Sequence, residues 1–163
     1  MTRTLILMRH GKSDYPLGVS DHDRPLAPRG RREAALAGDW LRTEQPPIDA
    51  VLCSTALRTR ETLDTTGIEV PVQFCTNLYD ADAGEVIAEV GYTDAEVRTL
   101  LVVGHFPGVP EAALTLDGGG NTALSDRIRT KFPTSALAVL DVPGDWGDIA
   151  DTGAALRTFH VPR

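Results

Sequence analysis

Short aliphatic runs alternate in this sequence with longer stretches that have the apolar spacing of helices. The runs that favour β-strands are Thr4–Met8, Ala50–Cys53, Val70–Phe74 and Thr99–Val103. The helix-like stretches are Arg29–Thr43, Ala56–Asp64, Gly84–Val90 and Pro107–Leu116. Strand–helix–strand alternation indicates a largely parallel sheet that is covered by helices on both faces. We therefore predict an α/β fold of three layers, α/β/α, around a mostly parallel sheet.

The last quarter of the sequence has a different pattern. Gly118–Gly120 is a flexible break, and the segment after it, Asp126–Lys131, is strongly charged. Two strand-like runs, Ser135–Val142 and Ala155–Val161, are joined by the turn-rich segment Pro143–Gly153. We predict that these two runs form a hairpin at the edge of the sheet. A length of 163 residues favours one domain, spanning residues 1–163.

The charge balance restricts the classes of partner. A formal net charge of −7 argues against a broad surface that binds nucleic acid or anionic membrane. The first apolar run is too short for a signal peptide, and no stretch approaches the roughly 20 apolar residues of a membrane helix. We expect a cytoplasmic protein in which Cys53 and Cys75 are buried free thiols.

Polar side chains follow three of the predicted strands. Arg9–His10 follows the first strand, Ser54 the second and Gly104–His105 the fourth. Ligands of parallel α/β sheets bind beyond the carboxyl ends of the strands. We therefore expect these groups, which are distant in sequence, to meet at one edge of the sheet.

The segment Arg9–His10–Gly11 has the chemistry of an anion site. A neutral imidazole is a nucleophile, and a histidine with an ordinary pKa near 6.5 is largely neutral at pH 7. A guanidinium binds phosphate oxygens through a planar fork, and glycine permits close approach of the backbone. Taken alone, this segment is equally compatible with a histidine that only caps the strand.

A second cationic segment begins at Ser54. Ser54 can cap the following helix, and Arg58 lies one turn into it, where it either binds an anion or is simply exposed. Arg60 faces another direction and is predicted to be a surface residue. Gly104–His105 repeats the arrangement of the first segment, a strand followed by glycine and histidine.

The ordered set of these motifs resembles the histidine phosphatase (phosphoglycerate-mutase-like) superfamily. The motifs are Arg9–His10–Gly11, Ser54-x-x-x-Arg58-x-x-x-Thr62 and Gly104–His105. Three further segments are similar to the small SixA-type phosphohistidine phosphatase branch: Asp21-x-x-Arg24–Pro25–Leu26, Leu78–Tyr79–Asp80–Ala81 and Gly104–His105–Phe106–Pro107–Gly108. The resemblance implies a phosphoglycerate-mutase-like fold with a minimal lid, and a hydrolase of the phosphatase class.

The resemblance also implies roles for individual residues. His10 would attack phosphorus and carry the phosphoryl group, while Arg9, Arg58 and His105 would bind its oxygens. Ser13, Gly11 and Gly104 are expected to bind substrate. Three cationic groups can stabilise the transferring phosphoryl group without a metal or another cofactor, so we expect neither.

The general acid is less well defined. Asp80 resembles the position at which larger relatives carry a glutamate, and Asp82 and Glu85 are weaker candidates for that role. Alternatively, no strong acid is needed, because imidazole leaves more readily than an alkoxide. We interpret Asp21 and Arg24 as a structural pair, His22 as solvated and His160 as a histidine of the sheet.

The preferred function is that of a protein phosphohistidine phosphatase, whose substrate is a phosphorylated protein. The alternatives are a phosphatase of small phosphorylated substrates, such as phosphomonoesters or nucleotides, and a non-catalytic phosphate-binding module. A mutase would need a closing segment to protect the phosphoenzyme from water, for which the chain is short. No histidine or carboxylate pair has zinc-like spacing, and the arginines would repel a cation.

Overall fold

The structure of the protein is a computed structural model that describes residues 2–163. The strands are β1 (Arg3–Arg9), β2 (Ala50–Ser54), β3 (Val72–Cys75), β4 (Thr99–Gly104), β5 (Leu137–Val142) and β6 (Ala155–His160). The helices are α1 (Pro28–Glu44), α2 (Leu57–Thr66), α3 (Ala83–Gly91), α4 (Gly108–Asp117), α5 (Thr122–Thr130) and α6 (Ile149–Thr152). Among residues 2–163, every helix is too short or too polar to cross a lipid bilayer.

The six strands form one sheet in the order β3-β2-β4-β1-β5-β6. The first four strands in this order are parallel, with Thr4 opposite Thr99 in the β1–β4 pair. Strand β5 runs antiparallel to β1, and β6 runs antiparallel to β5. The sheet is therefore mostly parallel, and the predicted C-terminal hairpin lies at its edge.

The central strands are aliphatic on both faces because helices cover both faces. In β1, Leu5 and Leu7 face one apolar cluster, whereas Ile6 and Met8 face the other. Helices α1 and α2 pack on the side of Ile6 and Met8. Helices α3, α4, α5 and α6 pack on the opposite side. This arrangement confirms the predicted three-layer α/β/α architecture and its phosphoglycerate-mutase-like class.

The two cysteines belong to this interior. Cys53 and Cys75 are free and buried, as predicted. Burial raises the pKa of the Cys53 thiol to about 12 and that of Cys75 to about 11. Both thiols are therefore protonated at neutral pH and unreactive as nucleophiles.

The sequence pattern did not predict α5, nor the short helix α6, which lies within the turn-rich segment Pro143–Gly153. The sequence of the α5 region predicts only a charged stretch after a glycine-rich break. In the structure, the side chain of Asn121 accepts a hydrogen bond from the Leu124 amide and begins the helix. Ile128 is the buried apolar side chain that anchors it, while Asp126 and Arg129 pair on the exposed face. The Asn121 cap and the apolar pair Leu124 and Ile128, four residues apart, are the signals in the sequence that could have identified this helix.

The first loop of the site is held tightly against α1. The backbone of Ala27 donates to the carbonyl of Lys12, and a Cβ at Gly30 would collide with that same carbonyl. The backbone of Gly11 also lies close to Gly30. Glycine at the start of α1 thus permits the chain after β1 to approach the helix closely. This contact places the residues that follow β1 at the carboxyl end of the sheet.

Candidate active site

A cavity of about 350 Å³ lies beyond the carboxyl ends of the parallel strands. The charged and polar residues that line it are Arg9, His10, Lys12, Ser13, Tyr15, Arg24, Arg58, Asp80, His105 and Thr134. Three guanidinium groups and two imidazoles therefore face one space. An anion with several oxygen atoms fits this set of donors.

A second cavity, of about 790 Å³, is larger but chemically poorer. It lies near β6 and the start of α5, and Asn121, Asp141 and Leu156 are among the residues that line it. Neither lysine, arginine, histidine nor cysteine lines it. Size therefore does not identify the site, and the smaller cavity carries the reactive groups.

His10 follows β1 directly and is buried. Its backbone N–H donates to the Gly104 carbonyl over 3.0 Å. The ring Nδ1 lies 2.7 Å from the carbonyl oxygen of Gly11. Because a carbonyl oxygen only accepts, Nδ1 carries the proton and Nε2 keeps a free lone pair.

Burial and nearby positive charge keep the His10 ring neutral. Burial is the main cause that lowers its pKa, to about 3, and His105, Arg58 and Arg9 lower it further. A neutral imidazole with an available Nε2 has the electronic state of a nucleophile. The site therefore holds His10 in a reactive form across the neutral pH range.

His105 follows β4 at the adjacent position in the sheet. The centroids of its ring and the His10 ring are 5.3 Å apart. Its Nε2 lies 2.8 Å from the hydroxyl oxygen of Ser54, while Nδ1 is buried and has no hydrogen-bond partner among residues 2–163. Burial, and then the Arg58 charge, lower the pKa of His105 to about 4.

Backbone carbonyls hold two of the arginines in place. Arg9 donates from Nη1 to the carbonyl of Phe132 over 2.8 Å. Arg58 donates from Nη1 to the carbonyl of Asp21 over 2.7 Å. The Nε atoms of both arginines are buried without a partner among the described residues. An unpaired buried donor is costly, so an anion that accepted these groups would bind favourably.

Arg24 is a cavity residue that the sequence reading missed. The sequence predicts Arg24 only as the partner of Asp21, and that pair does exist, with Arg24 Nε 3.3 Å from Asp21 Oδ1. The same guanidinium lines the cavity and lies 4.0 Å from the centre of the Tyr15 ring. Its position in the Asp21-x-x-Arg24 motif was the available signal. Arg24 adds a third guanidinium to Arg9 and Arg58.

Asp80 and Ser13 line the cavity at the positions expected from the sequence. Asp80 has a left-handed backbone, with φ of 55°, and an exposed side chain. Ser13 is buried and its backbone bridges to Leu26. The weaker acid candidates Asp82 and Glu85 are occupied elsewhere, because together they form the capping box of α3. Asp80 is therefore the carboxylate candidate that faces the cavity.

Gly11 and Gly104 do not line the cavity, in contrast to the expectation that they bind substrate. The Gly11 N–H donates to the Thr62 hydroxyl over 2.9 Å, so that donor is already used. The Gly104 carbonyl accepts from the His10 backbone. A Cβ at Gly104 would also crowd Val109. Both glycines therefore use these backbone groups within the protein, next to the two histidines.

Asp21 connects the arginines of the cavity. Its carboxylate accepts from Arg58 Nη2 over 3.2 Å and also from the hydroxyl of Tyr79. With the Arg24 contact, one carboxylate holds two of the three guanidiniums. The Tyr79 hydrogen bond, and then the Arg58 charge, lower the pKa of Asp21. Asp21 is therefore ionised at neutral pH and orients the cationic groups.

His22 is less exposed than the sequence suggested. Its Nε2 lies 2.9 Å from the hydroxyl oxygen of Thr55, and its ring packs edge-to-face on Tyr79. His22 therefore supports the same side of the cavity. His160 ends β6, stacks on Trp40 and does not line the cavity, as expected for a histidine of the sheet.

We expect Asp21→Asn to lower kcat/KM by about 10-fold, because the amide would hold Arg24 and Arg58 less firmly and small displacements of positioning groups are costly. Steady-state turnover measures this effect. Asp23→Asn is the matched control, since Asp23 lies in the same turn and touches neither arginine. Equal losses in the two variants would contradict a positioning role for Asp21.

The site histidines predict a loss of stability in acid. Their pKa values are about 3 and 4 in the folded protein, against about 6.5 in an unfolded chain. As the pH falls below about 6.5, the unfolded chain therefore binds protons that the folded protein does not. Each histidine should lower the free energy of unfolding by up to about 1.4 kcal/mol per pH unit below that value.

Denaturant unfolding at a series of pH values measures this loss. His105→Gln should make the decline between pH values of about 6.5 and 4 shallower, because it removes one of the two groups. An unchanged slope in that variant would show that other groups govern the acid sensitivity.

Among residues 2–163, no group of three or more histidine, cysteine, aspartate and glutamate side chains is placed to hold a metal ion. The cavity instead combines guanidinium and imidazole groups. This donor set suits an oxyanion and repels a cation.

The comparisons with known proteins agree on one family. Residues 5–105 match the sequence profile of the histidine phosphatase superfamily (branch 1). An uncharacterized protein of Mycobacterium tuberculosis is 54% identical over 158 residues, which cover 96% of this chain and 100% of that protein. Phosphohistidine phosphatase SixA of Escherichia coli is 30% identical over 155 residues, covering 86% of this chain and 88% of that protein.

Solved structures extend this similarity to the whole chain. A candidate SixA phosphohistidine phosphatase of Nakamurella multipartitia has a TM-score of 0.92 and 40% identity, covering 99% of this chain and 97% of that one. The protein histidine phosphatase SixA in complex with tungstate has a TM-score of 0.80 and 27% identity, covering 98% and 97%.

Proposed function

Because this chain belongs to the histidine phosphatase superfamily and is a phosphatase of SixA type, we propose that it hydrolyses phosphohistidine on proteins without a metal. We infer that it acts as a single domain and through a phosphoryl intermediate on His10. The observation that carries the proposal is the neutral His10 ring, whose Nε2 is free beside three guanidiniums. His10 attacks phosphorus, and Arg9, Arg58 and Arg24 bind the oxygens of the phosphoryl group.

The first step transfers the phosphoryl group to His10. The Nε2 lone pair forms a bond to phosphorus, while the bond from phosphorus to the leaving atom breaks and its electron pair stays on the leaving group. The proton on Nδ1 stays there throughout this step, where it is donated in a hydrogen bond to the Gly11 carbonyl oxygen. The guanidiniums stabilise the charge on the phosphoryl oxygens, which is the main demand of such a transfer.

The second step releases phosphate. Water attacks the phosphorus of phosphorylated His10, the bond from nitrogen to phosphorus breaks and its electrons return to Nε2. One proton of the water is left on the phosphate or in solvent. Splitting one displacement into two steps of lower barrier is the advantage of covalent catalysis.

His105 changes its protonation during this cycle. In the empty site its pKa is lowered to about 4, so the ring is neutral. A bound phosphate dianion places negative charge beside it and raises the pKa, which favours the protonated ring. Protonated His105 then adds a further cation to the guanidiniums around the phosphoryl group.

Asp80 is the candidate acid for substrates with a poor leaving group. It lines the cavity, where its carboxyl group can give a proton to an alkoxide. Phosphohistidine has less need of this proton, because imidazole is a weaker base than an alkoxide. An Asp80 variant should therefore lose more activity on phosphomonoesters than on phosphohistidine.

The similarity to SixA proteins supports a phosphohistidine substrate. The Escherichia coli relative is a phosphohistidine phosphatase, and the tungstate-bound relative is a protein histidine phosphatase. Tyr15, Lys12 and Phe106 are exposed at the cavity, which is compatible with access by a side chain of another protein.

Phosphate release in the presence of a chelator tests the proposal. The substrates are a phosphohistidine peptide, a panel of small phosphomonoesters and nucleotides, with matched concentrations of each. The proposal predicts the highest kcat/KM on the phosphohistidine peptide and no loss with chelator. Faster turnover of a phosphomonoester or a nucleotide would show that the substrate is a small molecule. Activity that requires added metal would overturn the metal-independent mechanism.

A further inference from the structure

The loop between β1 and α1 exposes apolar side chains next to the cavity. We name Asp14–Ser20 the rim loop, and each of its residues is exposed. Seven large hydrophobic side chains are exposed among the described residues, and three of them belong to this loop. They are Tyr15, which is 74% exposed, Leu17, at 101%, and Val19, at 39%.

The rim loop is a defined turn that begins at the site and ends in the turn Asp21–Asp23, whose Asp23 N–H donates to the Ser20 carbonyl. Ser13 bridges to Leu26, and the Asp14 N–H donates to the Pro25 carbonyl over 2.9 Å. At the tip, the Val19 N–H donates to Pro16, and Gly18 has a φ of 77°. These backbone contacts give the loop a defined conformation, in which Leu17 and Val19 are exposed.

Tyr15 connects this apolar surface to the cavity. Its ring covers the Arg24 guanidinium at 4.0 Å and also lines the cavity. Phe106, which is also exposed, lines the cavity and lies 5.0 Å from the Arg9 guanidinium. Leu17 and Val19 do not line the cavity. A small phosphorylated compound that fills the cavity therefore leaves them uncovered.

We infer that the rim loop binds the polypeptide that flanks the phosphorylated residue, through apolar contacts of Leu17 and Val19. This inference rests on the proposed protein phosphohistidine phosphatase function and adds a sequence preference to it. Exposed apolar side chains beside a substrate pocket are typical of a contact surface. Only a substrate larger than the cavity reaches both the phosphoryl site and the loop.

Charged residues near the rim loop affect which residues can lie beside the phosphohistidine of a bound peptide. Asp14 begins the rim loop, and Asp23 lies in the turn just after it; both are exposed. These carboxylates repel acidic side chains of a bound peptide. The surface therefore favours apolar residues beside the phosphohistidine, disfavours glutamates there and is indifferent to small polar residues.

Three synthetic phosphohistidine peptides test this preference, with leucines, serines or glutamates on both sides of the phosphohistidine. We expect kcat/KM to be about 10-fold higher for the leucine peptide than for the serine peptide, since partial burial of two aliphatic side chains is worth about this much. The glutamate peptide should be the slowest. Free phosphohistidine serves as the substrate without flanks.

The variant Leu17→Ser/Val19→Ser should lose the preference for leucine over serine and keep its turnover of free phosphohistidine. That retained turnover also shows that the variant is folded. The matched control is Leu36→Ser/Tyr92→Ser, which changes two exposed apolar residues of α1 and the end of α3 and should keep the preference.

The possible outcomes separate the two proposals. Equal turnover of the three peptides by the unsubstituted protein, or an unchanged preference in the Leu17 and Val19 variant, overturns the role of the rim loop but leaves the phosphohistidine activity standing. If the protein hydrolyses phosphomonoesters but none of the phosphohistidine substrates, the proposed function is wrong. The role of the loop, which rests on that function, is then wrong as well.

Discussion

His10→Ala should lower kcat by at least about 10⁴-fold, because it removes the atom that forms the bond to phosphorus and loss of a covalent nucleophile is among the largest single effects known in enzymes. No phosphoryl group should remain on the protein after brief mixing with a radiolabelled substrate and quenching in alkali, which preserves phosphohistidine. The unsubstituted protein should carry the label under the same conditions.

His160→Ala is the matched control for this experiment. His160 is also a histidine at a strand end, but it stacks on Trp40 and does not line the cavity. Its removal should leave labelling and turnover nearly unchanged. Labelled protein in the His10 variant would show that another group carries the phosphoryl group, and the assignment of the nucleophile would be wrong.

Arg58→Ala should lower kcat by about 10²–10³-fold, the usual cost of removing one oriented donor from a developing negative charge. It should also weaken inhibition by tungstate, an oxyanion with the shape of phosphate. Arg58 lines the cavity and is held by two bonds to Asp21, so its fork is already oriented before substrate binds. Phosphate release measured at fixed times gives the change in kcat, and the inhibition constant of tungstate gives the change in oxyanion binding.

Arg60→Ala is the control on the same helix. Arg60 is exposed, and its Nε donates to the Thr55 carbonyl over 3.0 Å. We expect a change of less than about twofold, as for most exposed surface residues. A further variant, Arg58→Lys, keeps the charge but not the planar fork, and should recover only part of the activity. Full recovery would show that the charge matters and the bidentate geometry does not.

The Arg58 and Asp21 variants can be combined to test the network. Since Asp21 contacts both Arg24 and Arg58, the effects of Asp21→Asn and Arg58→Ala should not add. In the absence of Arg58, the loss caused by Asp21→Asn should be limited to its effect on Arg24. Fully additive losses would indicate that Asp21 acts separately from Arg58.

The layers of the fold and the edge of the sheet at which chemistry occurs were predictable from the sequence. Aliphatic runs such as Thr4–Met8 and Thr99–Val103 agree with β1 and β4 to within a residue at each end. The reason is that central parallel strands are buried on both faces and must be continuously apolar. The histidines after these strands could then be placed together, because parallel strands end at one edge.

Helix α5 was not predictable in the same way. Its apolar contact with the core rests chiefly on Ile128, and its remaining side chains are largely polar. Its signals are limited to the Asn121 cap and the apolar pair Leu124 and Ile128, and the rest of its stability comes from packing against the core, which the sequence does not display.

Only the tertiary structure decided which groups face the cavity and in what state. The sequence by itself determined the fold class, the carboxyl ends of β1, β2 and β4 to within a residue, and the presence of His10, Arg58 and His105 near one another. It did not show that Arg24 joins them, or that Gly11 and Gly104 are not among the residues that line the cavity. The side-chain directions of loop residues, and the burial that lowers the pKa of His10, depend on contacts between segments far apart in the chain. Those contacts exist only once the sheet and its helices have assembled.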